Sequence, residues 1–182
     1  MFKYTGNNKQ IQLAVTKANS SDVQRVMKLA IKETEYDMST ATSEYLAEEF
    51  IFFLQHNAGI NIIVYYKWWS KALAYFKPSK PNNIYINGSK LNRSMGSIVG
   101  TFYHEAVHMF DAQDDKHSFG HGSNSNKGKQ NTVPYKVGAL VKAIVDDTKV
   151  DNINVENSKI SVKDSWFNKL KRFIFGVFLW TN

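Results

Sequence analysis

The chain has 182 residues, of which 43% are hydrophobic and 21% charged, with 10 Gly and 3 Pro. That is the composition of one globular domain with room for a short appendage, and it excludes a disordered or collagen-like chain. There is no cysteine, so disulfide scaffolds, Cys-ligated zinc, iron–sulfur clusters and thiol nucleophiles are excluded, and any metal must be held by His, Asp or Glu. The formal charge of +7 favours anionic surfaces, but the basic residues are spread along the chain, so charge alone does not specify nucleic acid.

In chain order, Ile11, Leu13 and Val15 alternate with Gln12 and Ala14 and predict a short strand. Ser21-Asp22-Val23-Gln24 fits a capping box, and Val23, Val26, Met27, Ala30 and Ile31 then keep helical spacing, which predicts a helix over 22–35. A second amphipathic helix is expected over 43–55, burying Leu46, Phe50, Phe53 and Leu54. Residues 61–69 are rich in Ile, Val, Tyr and Trp and suit a strand, and 72–76 suits another. Tyr65, Tyr66, Trp68 and Trp69 are expected to fill a core against the helices; exposed beside Lys67 and Lys71 they would instead suit nucleic-acid stacking.

After a turn at Pro78 and Pro81, Asn83-Ile84-Tyr85-Ile86-Asn87 alternates as a strand and stops at Gly88. Residues 92–94 can cap a helix that runs to about Asp111. Residues 114–132, rich in Gly, Ser, Asn and Lys, predict a loop, and Pro134 suits the first turn of a helix to Asp147. Residues 149–163 are polar and read as a connector. Trp166, Phe167, Leu170, Phe173, Ile174, Val177 and Phe178 form a helical stripe over 166–180, which with Lys169, Lys171 and Arg172 could lie on a membrane surface or dock on a protein. The expected organisation is a domain over 1–150 and an appendage over 151–182. The expected fold is α+β, a small and mostly antiparallel sheet packed on helices. The first ten residues have no apolar run of the signal-peptide kind and the longest apolar run, 173–180, is short of a membrane span; the expected compartment is the cytoplasm.

Four of the five histidines lie within 104–121. Two of them open and close His104-Glu105-Ala106-Val107-His108. Histidines at i and i+4 of a helix project from one face and can reach one tetrahedral Zn²⁺, while the glutamate between them can take a proton from water without binding the metal. Ser97, Gly100 and Thr101 fall on the histidine face, small and polar as an open cleft requires. Ile98, Val99, Phe102, Tyr103, Val107 and Phe110 supply core contacts on the others. A tetrahedral site needs a third ligand from another segment. His121 ranks first, because histidine is the commonest metal-binding side chain and Gly120 and Gly122 let the loop come close. His117 and Asp114 are the alternatives. Asp111, one turn after His108, is placed either to accept a histidine N–H or to end the helix at the surface.

The HExxH helix resembles that of the zincin metallopeptidases, over roughly residues 72–147. The resemblance implies a zinc-dependent peptidase with Glu105 as general base, a peptide or protein substrate, and an edge strand upstream of the helix that pairs with extended substrate, here Asn83–Asn87. A metzincin-like pattern would put Asp111 at its glycine and Asp114 at its last ligand. His121-Gly122 is similar to the His-Gly that follows the helix in SprT-like proteases, which act on DNA-bound proteins. Pro134-Tyr135-Lys136-Val137-Gly138 resembles an element of phage and bacterial zincin-like proteins. The resemblance makes Tyr135 the candidate stabiliser of the oxyanion. A reading of another class is a non-catalytic protein that binds a membrane or a partner.

Overall fold

A computed structural model describes residues 1–122 and 128–147, all within one compact unit, Met1–Thr148. The expected connector (149–163) and amphipathic stripe (166–180) lie outside the described residues.

The elements run β1 (Phe2–Lys3), α1 (Lys9–Ala18), α2 (Ser21–Lys32), α3 (Ser43–His56), β2 (Ile60–Tyr65), β3 (Ala74–Phe76), β4 (Asn83–Asn87), α4 (Met95–Asp111) and α5 (Val133–Asp147). The α+β class holds. The sheet is not mostly antiparallel: its order is β1-β2-β4-β3, with β1 parallel to β2, β2 parallel to β4, and only β3–β4 antiparallel. The reason is in the strands. β4 buries Ile84 and Ile86 completely, so it takes the interior position and pairs on both sides. β3, half-buried along its length, is left at the edge.

The segment 11–15 is not a strand. It lies in α1, where Asn8 accepts from the Ile11 N–H at 3.1 Å as N-cap. The helix buries Ile11, Ala14 and Ala18 and leaves Leu13 half-exposed. The small alanines carry the 3.6-residue period that the larger side chains obscure. α2 starts at Ser21 without a side-chain cap, so no capping box forms; Gln24 instead reaches Met1 Sδ and Gln55. α3 buries Leu46, Phe50 and Leu54, with Phe53 half-buried. β2 ends at Tyr65 rather than continuing to 69. Beyond it the aromatic residues do not fill a core: Tyr66, Trp68 and Trp69 are 69%, 74% and 63% exposed.

α4 is the axis of the unit. Ser94 caps it, its side chain accepting from Ser97 N at 3.2 Å. Its buried residues include Ile98, Val99, Phe102, Tyr103, Val107 and Phe110, the six expected as core contacts. The Tyr103 hydroxyl donates to the Ala18 carbonyl at 2.7 Å, tying α1 to it. Phe102 and Tyr103 meet Phe2 of β1 at ring centroid distances of 5.7 and 5.2 Å. On another side α4 meets α5 backbone to backbone. A Cβ at Gly100 would lie 2.4 Å from the Gly138 carbonyl oxygen, closer than atoms can approach. Asp146 of α5 closes the far end: its carboxylate accepts from Gly96 N, the Ser94 hydroxyl and Lys142 Nζ, at 2.8, 2.8 and 2.7 Å.

Candidate metal centre

Gly96, Gly100, His104 and His108 form one i, i+4 row on α4, and α5 covers the glycine end of it. The histidine face is therefore only partly open. Ser97, Gly100 and Thr101 line the cleft as expected, and Arg93 Nη1 donates to the Ser97 carbonyl, the Ser97 hydroxyl and the Thr101 hydroxyl, at 2.9, 3.2 and 2.6 Å. The cleft, of about 770 Å³, runs from Ser97 past His104 and His108 to Asp111. α4 forms its floor. β3 and the residues before it form one wall, and Tyr135, Gly138, Ala139 and Lys142 of α5 form another.

The third histidine arrives by a chain reversal after Asp111. Asp111 Oδ1 accepts from Phe119 N at 2.7 Å. Phe119 is fully buried and packs on Phe110 at 5.0 Å. Thr40, in the loop before α3, takes Ser118 at both ends: its N–H donates to the Ser118 carbonyl at 3.0 Å and its hydroxyl accepts from Ser118 N at 2.9 Å. A Cβ at Gly120 would lie 2.6 Å from Asp111 Oδ2, and Gly122 has φ +69°, a left-handed conformation that suits glycine. His121 thus reaches α4 with only 8% of its surface exposed. Asp111 holds the reversal through its bond to Phe119 N, rather than ending the helix at the surface.

His104, His108 and His121 each offer a ring nitrogen, and these atoms lie within 4.8 Å of one another. His108 Nε2 and His121 Nε2 are 2.9 Å apart. Four nitrogens set tetrahedrally around an ion at the zinc–imidazole distance would be about 3.3 Å apart. The three histidines are close enough to bind a metal ion. His117 and Asp114, the alternatives for the third position, are outside this group. Asp114 accepts from the Tyr45 hydroxyl at 2.8 Å and from the N–H groups of Lys116 and His117 at 2.8 and 3.2 Å. The His117 ring packs on Tyr45 at 4.2 Å and its Nδ1 faces Asp114 at 3.5 Å.

The electrostatics suit neutral imidazoles. Burial pushes His104 down to about 3, with the charges of His108 and His121 adding to it and a hydrogen bond to the Pro134 carbonyl opposing it. That bond occupies one ring N–H of His104 and leaves the other nitrogen for the cluster. Burial, then His121, pushes His108 down to about 4. Metal ligation requires this unprotonated form. Glu105 is 8% exposed; burial pushes its carboxyl up to about 7, against a hydrogen bond from the Phe76 backbone N–H. A carboxyl so placed exchanges a proton near neutrality. The Tyr135 ring packs edge to face with His104 at 4.7 Å and tilted against His121 at 5.0 Å. Burial, then the Glu105 charge, raises its hydroxyl, which stays protonated and able to donate.

The zincin resemblance implies an edge strand at Asn83–Asn87. That strand is interior, between β2 and β3. The strand at the cleft is β3, whose Ala74, Tyr75 and Phe76 line it and whose Phe76 N–H holds Glu105. Both segments are legible as strands, but only the sheet order tells which is the edge. No helix among the described residues is long and apolar enough to cross a membrane. No protein-family model, no curated protein and no solved structure matches the chain.

Proposed function

We propose that the protein is a zinc-dependent metallopeptidase. The observation that carries this reading is the meeting, in one cleft, of three histidine nitrogens, the buried carboxyl of Glu105 and the backbone of an edge strand. Three imidazoles without a thiolate are a donor set that suits Zn²⁺, and three protein ligands leave a fourth position free, as in catalytic rather than structural zinc sites. When bound, the ion supplies Lewis acidity to the scissile carbonyl and lowers the pKa of water beside it. His104, His108 and His121 hold it, and the Pro134 carbonyl fixes the His104 ring. Glu105 takes a proton from the attacking water and returns it to the leaving amine. Its burial raises its proton affinity for that step, and the Phe76 N–H holds it in place. β3 would offer the part of its edge not taken by Glu105 to an extended substrate chain, which main-chain hydrogen bonds would align over Glu105. The Tyr135 hydroxyl, in the cleft wall, is the candidate donor to support the oxyanion as the carbonyl becomes tetrahedral.

A fluorescence-quenched peptide library supplies the test. Protein loaded with zinc should cleave members of the library, and Glu105→Gln should bind zinc as before while kcat falls on the order of 10²-fold or more. Equal rates for the variant and the parent, or no cleavage by zinc-loaded parent, would reject the peptidase reading.

A further inference from the structure

We propose that residues 66–73, the loop between β2 and β3, dock the protein on an anionic lipid bilayer. The proposal does not depend on hydrolysis in the cleft. Tyr66, Trp68, Trp69 and Leu73 are 69%, 74%, 63% and 42% exposed. Single exposed apolar residues are ordinary, but four within eight positions, two of them tryptophan, form a patch of the kind that another surface covers. The exposure is built into the loop rather than a result of fraying. Asn87, itself fully buried, accepts from Lys67 N at 3.1 Å and donates to the carbonyls of Lys67 and Ala72 at 2.9 and 3.3 Å. One side chain thus clamps both ends of the segment that presents the tryptophans. Lys90 Nζ adds a bond to the Trp68 carbonyl at 3.0 Å.

The charge around the patch names the sign of the partner. Between Glu49 and Glu105 the chain has no Asp or Glu, while it has Lys67, Lys71, Lys77, Lys80, Lys90 and Arg93. This stretch contains β2, β3, β4 and the loop, so the patch sits in a segment without a single acidic side chain. Tryptophan and tyrosine favour the headgroup layer, where an apolar ring and a polar edge are both satisfied, and lysines there meet anionic headgroups.

The ring geometry favours a bilayer over a single-stranded nucleic acid, the other anionic partner of aromatic and basic surfaces. Base stacking uses free ring faces. Here Trp68 and Trp69 pack edge to face at 5.6 Å and 85°, and Lys67 Nζ lies over Trp69 at 5.7 Å. On the sheet beside them, Tyr75 and Tyr85 stack on each other at 4.8 Å and 12°, with Lys77 Nζ over both rings at 5.4 and 5.9 Å. The two tryptophan rings stand at right angles to each other rather than as parallel platforms for successive bases, and Lys67 and Lys77 lie over ring faces that stacking would use, which suits insertion among headgroups. Lys71, Ala72 and Leu73 also line the cleft, so docking through this loop would bring the cleft mouth to the bilayer.

The test is flotation of the full chain with two kinds of vesicle, one of phosphatidylcholine and phosphatidylglycerol in equal parts and one of phosphatidylcholine alone. The parent should float with the mixed vesicles, less so as salt is raised, and stay behind with the neutral ones. The Trp68→Ser/Trp69→Ser double variant should lose affinity for the mixed vesicles on the order of tenfold or more, with an unchanged circular dichroism spectrum, since both rings lie largely in water. Flotation of the double variant equal to the parent overturns the proposal and assigns binding to another segment. Equal binding to neutral vesicles overturns the anionic assignment. Absence of flotation, or binding only to a fluorescent oligothymidylate that the double variant loses, overturns it in favour of no lipid contact or of nucleic acid.

Discussion

Two histidines of the cluster come from a helix and one from a loop, and the two regions are held in different ways. His104 and His108 are placed by the geometry of a single helix that is buried along most of its length; their spacing is set once the helix forms. His121 is placed by contacts from three parts of the chain: Asp111 on Phe119 N, Phe110 on the Phe119 ring, and Thr40 on Ser118. The helix makes the half-site cheap to specify in sequence. The loop makes its completion conditional on tertiary structure, so it is the part that mutation or metal removal should disturb first.

The largest expected effect is on the loop anchor. Phe119→Ala removes a fully buried ring, and truncations of that kind cost about 3–5 kcal/mol. Urea unfolding should report that loss, and zinc affinity should fall with it because His121 is two residues away. Unchanged zinc affinity in a folded F119A protein would show that the loop holds His121 without its anchor.

Zinc itself sharpens the contrast. Zinc at a concentration about 100 times its Kd should stabilise the folded state by about 2.7 kcal/mol. Hydrogen exchange should show the added protection on chelator-sensitive amides of residues 112–122, with α4 amides already protected without the ion. Equal gains on both segments would mean that the helix is as conditional as the loop.

A comparable cost on the helix side is expected from Gly100→Ala, whose Cβ would be driven onto the Gly138 carbonyl oxygen. Overpacking of this kind costs about 1–3 kcal/mol. The variant pries α5 from α4, so Tyr135 and the Pro134 contact to His104 should move while His121 stays. Thermal melts read the cost, and a larger fall in zinc affinity than in F119A would reverse the ranking. The smallest effect is expected from Thr40→Val, which deletes the hydroxyl that accepts from Ser118 N. It should cost about 0.5–1.5 kcal/mol, with a zinc affinity lower by no more than about tenfold.

The same division decides what was legible beforehand. α4, α5 and β4 could be read because their signals are local: Ser94 as cap, Pro134 in a first turn, and a five-residue alternation ending at Gly88. Residues 11–15 read as a strand because Ile11 shares the buried face of α1 with two small alanines, Ala14 and Ala18, while the alternation of Ile11, Leu13 and Val15 imitates a strand. The sheet order could not be read, because interior and edge positions depend on which strand other strands cover, and no spacing within β3 or β4 encodes that. The tryptophans were assigned to a core on composition alone; the buried Asn87 that holds their loop outward reads in sequence as no more than the end of a strand. His121 could be ranked but not separated from His117 and Asp114, since the contacts that turn the chain after Asp111 join residues up to 78 positions apart.

The most direct test is zinc binding by the parent, His121→Ala and His117→Ala, measured by calorimetric titration of chelator-treated protein. The three-histidine account predicts about one Zn²⁺ per chain for the parent, an affinity lower on the order of 100-fold or more for His121→Ala, and no change for His117→Ala. A His121→Ala protein that binds zinc as tightly as the parent, or a parent that binds none, would contradict it.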